Sequence, residues 1–146
     1  MSSFSHASPL RKALLGVVVL AAVLAVAASV LSPVPASDAA SSGTCGDGLT
    51  WALDDYKNLT ISGSGPMSDY SSSGGPWGKW LESVAIEDGV TSIGNWAFYD
   101  CFFSSVSIPS SVTSIGGDAF YDCTSLTSVD MPSVTSIGSQ AFGNCT

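Results

Sequence analysis

Histidine is almost absent from this sequence. The chain has 146 residues and one histidine, His6, which lies in an N-terminal leader. Without histidine, the mature chain cannot assemble a Ser-His-Asp or Cys-His catalytic arrangement, and the usual zinc ligand sets lose their imidazoles. Adjacent acids occur at positions 54–55 and 87–88, but neighbouring acids in turns are usually solvated. We therefore expect no enzymatic activity.

Positive charge is also scarce. Four Lys and Arg residues stand against twelve Asp and Glu residues. A chain that begins at Ala40 keeps only Lys57 and Lys79 against eleven acidic residues, a formal charge of −9. Without a basic stripe, no counterion release drives binding to phosphates. This balance excludes nucleic acid as a partner and disfavours an anionic lipid surface.

Metal-binding and cofactor-binding motifs are missing too. Asp54, Asp55 and Asn58 lie close together in the sequence, but they lack the spacing, the glycine and the final glutamate of a calcium loop. The cysteines do not form a Cys-x-x-Cys pair. We predict neither a cofactor nor a metal site.

A long hydrophobic run occurs once, over residues 13–31, after two cationic residues. This is the pattern of an export signal, with candidate cleavage sites after Ala36 and after Ala39. The run is nearly long enough to span a bilayer, so an uncleaved anchor is the alternative. Residues 1–39 are thus predicted to be a signal peptide or signal anchor. The rest of the chain would be secreted or exposed at the cell surface, with membrane contact only through an uncleaved N-terminal segment.

The pentapeptide Val-Thr-Ser-Ile-Gly occurs three times, at residues 90–94, 112–116 and 134–138. Each copy is followed at fixed offsets by Ala-Phe and then by Cys, so the period is 22 residues. A fixed period in this range, with recurring apolar positions, is typical of a leucine-rich-repeat solenoid.

Each unit also contains two apolar residues that alternate with small or polar ones, which is the pattern of a strand with one buried face. These pairs are Val84 and Ile86, Val106 and Ile108, and Val129 and Met131. The Ala-Phe-x-x-Cys segment predicts a single helical turn, and the glycine after Ile predicts a corner with positive φ. The expected fold class is mainly β: a short solenoid with one short strand and one helical turn per repeat of 22–23 residues.

The pattern Leu-x-Ser-Val-x-Ile-Pro-Ser-Ser-Val-Thr-Ser-Ile-Gly-x-x-Ala-Phe-x-x-Cys resembles the BspA-like leucine-rich-repeat family. The resemblance covers about residues 81–146, and the last repeat is truncated. Residues 40–80 resemble the N-terminal cap that often precedes such arrays. The resemblance implies an extracellular solenoid of the kind found in host-associated microbes and some protists, with adhesion to host or matrix proteins in some members. It does not imply catalysis.

Within the cap, residues 49–53 and 58–62 are alternating β-prone runs that predict a β-hairpin. Trp51 and Ile61 are expected to face the first repeat and cover its open end. Residues 63–75 are interpreted as a polar loop without regular structure.

Trp77, Trp80 and Trp96 allow two interpretations. They can pack near the cap, which we favour because aromatic side chains supply much of the buried area of a small core. Alternatively, they can form an aromatic platform for a sugar.

Four cysteines in an exported chain raise the question of disulfides. Cys101, Cys123 and Cys145 would stack one per turn, at the strand spacing of about 4.8 Å. A disulfide requires Cβ atoms about 3.8 Å apart. We therefore predict a column of buried thiols, and we keep a Cys45–Cys101 disulfide as a hypothesis.

Two surfaces compete as the binding site for an extracellular protein or glycan. One is the outward row of strand residues that ends in Asp130, and the other is the row of turn residues. Tyrosine is favoured at interfaces, which favours the turns. The predicted ligand contacts are Tyr99, Asp100, Tyr121, Asp122 and Asp130.

The last repeat stops at Thr146, before its next strand would begin. Met131, Ile137 and Phe142 are therefore expected to face water on one side. Either the open repeat self-associates, or the chain is an N-terminal fragment of a larger surface protein. The function we predict is cell-surface binding or adhesion. The alternatives are a structural spacer, or a fragment whose functional domain lies beyond residue 146.

Overall fold

A computed structural model describes residues 41–146 and shows ten short strands. No helix occurs within these residues. The strands are β1 (Ser41–Gly46), β2 (Leu49–Leu53), β3 (Asn58–Gly63), β4 (Gly65–Pro66), β5 (Ser83–Ile86), β6 (Val90–Ile93), β7 (Ser105–Ser107), β8 (Ser114–Ile115), β9 (Ser128–Asp130) and β10 (Ser136–Ile137). The predicted signal segment, residues 1–39, lies outside the described residues.

Two sheets form two sides of a β-solenoid of about three turns. Sheet A has the order β1-β2-β3-β5-β7-β9, and sheet B has the order β10-β8-β6-β4. From β3 onward the pairing in sheet A is parallel, and it is parallel throughout sheet B. The predicted fold class, a mainly β leucine-rich-repeat solenoid, is confirmed.

Each turn has two strands where one was predicted. The predicted strand lies in sheet A, and the Val-Thr-Ser-Ile segment forms the second strand in sheet B. In β6, Val90 and Ile93 are buried while Thr91 is exposed. The strand in sheet B was missed because its apolar residues are three apart and do not alternate.

The predicted hairpin is confirmed. β2 and β3 pair antiparallel, with Trp51 opposite Ile61, and both side chains are buried. β3 then pairs in parallel with β5, so that Leu59 lies beside Val84 of the first repeat. The Ser-rich β1 was not predicted. It adds a third antiparallel strand and buries Cys45.

Residues 63–75 differ from the prediction of an irregular loop. β4 pairs with β6, Met67 is buried, and the Met67 amide donates to the Ser92 carbonyl at 3.1 Å. The Tyr70 amide donates to the Asn95 carbonyl at 2.8 Å. The backbone of this polar segment therefore bonds to the next turn as a repeat would, although its sequence does not match the repeat.

The predicted helical turn does not form on the third side of the solenoid. Residues 95–100 are a series of hydrogen-bonded turns, in which the Tyr99 amide donates to Trp96 O and the Cys101 amide donates to Phe98 O, both at 3.3 Å. Trp96 and Asp100 have φ angles of 60° and 55°. Two left-handed residues per turn prevent a continuous right-handed helix.

The corner glycines are needed for a different reason from the one predicted. Positive φ is found at other glycines and not at Gly94, Gly116 or Gly138. A Cβ atom on Gly116 would lie 2.5 Å from the Asn95 nitrogen of the preceding turn. These glycines allow the backbones of successive turns to approach closely.

The core runs along the axis of the solenoid. The Phe98, Phe120 and Phe142 rings stack in parallel, with centroids 5.1 Å apart at both steps. Phe98 and Phe120 are fully buried, whereas Phe142 and Met131 are half-buried and Ile137 is 50 % exposed. The predicted exposure of this last set is thus observed.

Candidate binding surfaces

Four of the five predicted contact residues lie in one row on the third side of the solenoid. We call Tyr99, Asp100, Tyr121 and Asp122 the turn row; all four are half-buried. Alternate amides of each turn bond to the next one: Phe98 N donates to Ala119 O at 2.7 Å, and Asp100 N donates to Tyr121 O at 2.8 Å. This ladder places equivalent side chains directly above one another.

The two tyrosines stack. Their ring centroids are 5.7 Å apart and their planes differ by 8°. Trp96 packs against Tyr99 at 4.9 Å, and Asn144 Nδ2 donates to the Tyr121 hydroxyl at 3.1 Å. The result is a stacked, partly exposed aromatic surface, which is a favourable composition for an interface.

A glycine stands where the next tyrosine of the column would be. A Cβ atom on Gly143 would lie 2.6 Å from Tyr121 Cδ2, because the Tyr121 ring lies against this position. The tyrosine column therefore spans two turns, and in the third turn Gly143 packs against the Tyr121 ring.

The two aspartates have left-handed backbones, with φ of 55° at Asp100 and 63° at Asp122. Aspartate and asparagine tolerate this conformation better than most residues. Asp100 forms an ion pair with Lys79, and the hydrogen bond that the Lys79 ammonium donates to Asp100 Oδ2 raises the Lys79 pKa. No cation forms an ion pair with Asp122 in the described part of the chain, so its carboxylate is available to a ligand.

Asp130 does not join the turn row. It is exposed in β9, opposite Ser107, on the outer face of sheet A. The other outward residues of this face are small: Ser83, Ala85, Ser105, Ser107 and Ser128. A flat surface of small side chains offers few anchors for a partner.

The three tryptophans do not form one platform. Trp77 is buried and packs on Phe98 with centroids 5.2 Å apart, as the packing interpretation predicts. Trp96 is half-buried in the turn row, whereas Trp80 is 71 % exposed. The sequence did not predict that Trp96, Lys79 and Asn144 contact the turn row. Each of them contacts a residue at a different position of the repeat, so the repeat pattern does not indicate the contact.

The three repeat cysteines are free thiols; Cys101 and Cys123 are buried as predicted, whereas Cys145 is half-buried. Cys123 Sγ donates to Phe98 O at 3.0 Å, and Cys145 Sγ donates to Phe120 O at 3.1 Å. Burial raises the pKa of Cys101 and of Cys123 to about 12. These are structural thiols rather than reactive ones.

The hypothetical Cys45–Cys101 disulfide is wrong, since both cysteines are free. Cys45 is in β1, at the edge of sheet A, and β2, β3 and β5 lie between it and β7, the strand that follows Cys101. Strands are about 4.8 Å apart, so this distance is far greater than a disulfide allows.

Of the adjacent acids in the hairpin, Asp54 has a structural role. Asp54 Oδ1 accepts hydrogen bonds from the amides of Tyr56 and Asn58, at 2.9 and 2.8 Å. A hydrogen bond from the Asn58 side chain lowers the Asp54 pKa. The carboxylate therefore stays ionised and stabilises the turn, which is opposite to what a general acid requires.

Residues 41–146 contain neither a cluster of metal ligands nor a helix that could span a membrane. Nowhere in this range do three or more His, Cys, Asp or Glu side chains come together in a way that could hold a metal ion. The same range contains no helix of sufficient length and hydrophobicity to cross a membrane.

Residues 78–146 match the family model described as "BspA type Leucine rich repeat region (6 copies)". Residues 78–146 are a BspA-type leucine-rich repeat region. Arrays of this kind are generally non-catalytic, and each repeat contacts only its neighbours along the solenoid.

Two solved structures resemble this chain. A leucine-rich repeat protein from Eubacterium ventriosum is 33 % identical with a TM-score of 0.60, over 70 % of this chain and 30 % of that protein. A leucine rich cell surface protein from Faecalibacterium prausnitzii is 31 % identical with a TM-score of 0.47, over 75 % of this chain and 36 % of that protein. The chain thus spans about a third of each. Among curated proteins, none is significantly similar to it.

Proposed function

We propose that the BspA-type repeat region is a non-enzymatic module, secreted or held at the cell surface, that binds an extracellular protein through the turn row. One observation carries the proposal. The stacked Tyr99 and Tyr121 rings lie outside the core cluster and are partly exposed. Rigid, partly exposed tyrosines bind partners at a low cost in side-chain entropy.

Charge adds specificity to this surface. Asp122 has no cationic partner among residues 41–146, and the mature part carries a formal charge of −9. A partner with a basic patch would be attracted over a distance and then oriented by the row. Export through the N-terminal segment is part of the proposal, because the module acts on extracellular partners only if it leaves the cell.

The test compares a double Tyr99→Ala, Tyr121→Ala variant with a matched control, Ser105→Ala, Ser107→Ala, on the outer face of sheet A. Binding of the full chain to immobilised collagen, laminin and fibronectin is measured by biolayer interferometry. We expect the tyrosine variant to bind about tenfold more weakly or worse, while the serine variant is unchanged. Equal binding by both variants, with unaltered circular dichroism, would reject the turn row.

A structural spacer is the competing proposal, and the continuous ladders of both sheets favour it. A spacer would bind none of the three matrix proteins. A third possibility is that the functional domain belongs to a longer protein and lies beyond residue 146. In that case, the isolated repeat region would again bind nothing, while the longer protein would bind.

A further inference from the structure

A shallow groove opens where the hairpin turn of the cap meets the first repeat. Its volume is about 210 Å³. The residues that line it are Tyr56, Lys57, Trp80, Leu81, Glu82 and Phe102. We call it the Trp80 groove.

Two exposed aromatic residues line this groove. Trp80 stacks on Phe102, with ring centroids 4.3 Å apart and planes 12° from parallel. Phe102 covers one face of the indole, and because Trp80 is still 71 % exposed, its other face is open. Tyr56 is 80 % exposed. Large aromatic surfaces that do not contribute to the core are typical of binding sites.

The repeat does not explain these aromatic residues. Leu81, Phe103 and Leu126 occupy equivalent buried positions, each three residues before the central valine of its strand. The residues just before them are Trp80, Phe102 and Ser125, so the third repeat has an exposed serine at this position. The aromatic pair is therefore specific to the end of the solenoid that bears the cap.

The backbone holds the groove in place before any ligand binds. Asp54 fixes the turn that carries Tyr56. The Glu82 amide donates to Lys57 O at 2.9 Å and ties this turn to the first repeat. On the Trp80 side, the Phe102 amide donates to Lys79 O at 2.8 Å. A preorganised site loses little entropy when it binds.

The polar groups of the groove balance in charge. Lys57 supplies donors and Glu82 supplies acceptors, and the ion pair of the described residues involves neither, because it joins Lys79 to Asp100. Lys57 would repel a cationic side chain. Glu82 and the formal charge of −9 would repel an anionic ligand. The matching ligand is uncharged, with an apolar face and hydroxyl groups at its edge.

We propose that the Trp80 groove binds a neutral sugar, one pyranose ring of which lies on the open face of Trp80. The C–H groups of the ring contact the indole, while Lys57 and Glu82 bond to its hydroxyl groups. The inference rests on the proposed function of an exposed binding module and adds a second, separate site to it. Trp80 is the principal contact, and Tyr56 is the contact from the hairpin.

The experiment uses the full chain in a detergent without a sugar head group, so that no alkyl glycoside occupies the groove. Maltohexaose, cellohexaose, mannohexaose and chitohexaose are titrated and followed by calorimetry, with hexagalacturonate as the acidic comparison and hexaproline as the peptide comparison. The variants are Trp80→Ala, Trp80→Phe and Tyr56→Ala. Ser125→Ala is the matched control, because it is the equivalent exposed position of the third repeat.

We expect at least one neutral oligosaccharide to bind. Trp80→Ala and Tyr56→Ala should each weaken binding about tenfold, Trp80→Phe should retain most of it, and Ser125→Ala should leave it unchanged. The assignment is wrong if no neutral oligosaccharide binds, if hexagalacturonate binds equally well, or if Trp80→Ala binds like the parent chain. Binding of hexaproline alone, lost in the same variants, would assign the groove to peptides and overturn the proposal.

The two sites fail independently. The Tyr99→Ala, Tyr121→Ala variant should bind the oligosaccharide normally, and Trp80→Ala should bind matrix protein normally. Loss of sugar binding with intact matrix binding would reject only the groove, and the reverse result would reject only the turn row.

Discussion

Two columns of aromatic side chains are formed by neighbouring residues of the same turns. Phe98, Phe120 and Phe142 stack inside the solenoid, while Tyr99 and Tyr121 stack outside it. The inner rings are 5.1 Å apart at each step and the outer ones 5.7 Å. The same ladder of backbone hydrogen bonds sets the spacing of both columns. The columns differ in burial, so we expect the inner rings to contribute mainly to stability and the outer rings to binding.

The largest expected effect is on the inner column. Phe120→Ala removes a fully buried ring that stacks on both of its neighbours. We expect the free energy of unfolding to fall by about 3–5 kcal/mol, which can be measured by urea denaturation. A loss below about 1 kcal/mol would mean that the inner column can collapse around the cavity.

Substitutions at the corner glycines test the spacing between successive turns, which both aromatic columns share. Gly116→Ala would place a Cβ atom 2.5 Å from a backbone nitrogen of the preceding turn. We expect a cost of about 1–3 kcal/mol and a lower midpoint of thermal unfolding. Gly117→Ala is the matched control. Its Cβ would have no neighbour closer than 3.4 Å, so an equal loss there would show that close approach is not the cause.

The buried thiols of Cys101 and Cys123 make a pH-dependent contribution to the free energy of unfolding. Burial raises the pKa of Cys101 and Cys123 from 9.0 to about 12, so between these values the unfolded chain loses protons that the folded chain keeps. The contribution of these thiols to the free energy of unfolding should therefore be constant below about pH 8 and fall above pH 9, by about 1.4 kcal/mol per pH unit for each thiol. Urea titrations of the parent chain and of Cys123→Ala at pH 8 and 10 measure the difference between them. Identical slopes would show that this thiol is already solvated in the folded state.

The smallest effect is expected in the outer column. Tyr121→Ala removes a half-buried ring and one hydrogen bond with Asn144. We expect a loss of at most about 1 kcal/mol in unfolding free energy, even if partner binding is lost. A loss as large as that of Phe120→Ala would end the distinction between the two columns.

The repeat itself made much of this fold predictable. When Phe and Cys recur at a fixed offset, stacking of the turns must place them in columns, and the buried set follows. The same offset predicted the turn row as a row, with Tyr99 above Tyr121. The left-handed backbone at Asp100, Asp122 and Asn144 was also predictable from sequence, because Asp and Asn tolerate a positive φ better than most residues.

Other features could not be predicted because they depend on pairing between unlike sequences. β4 joins sheet B through backbone bonds that leave no pattern in its side chains. Trp96, Asp118 and Gln140 share a left-handed backbone but no residue type. The Trp80 groove forms because the hairpin turn lies beside the first repeat. That placement depends on the parallel register of β3 and β5, which the sequence does not reveal.

That junction has a consequence for folding kinetics. β1, β2 and β3 pair antiparallel through short connections, whereas each later strand pairs in parallel with a partner about one whole repeat away. Local hairpins close in microseconds, and the loop-closure entropy of each distant pairing slows its formation. The cap should therefore form first and act as a template on which turns are added in order. Pulsed hydrogen exchange should show protection of the Ala52 and Thr60 amides, which face each other within the hairpin, before that of Ile115.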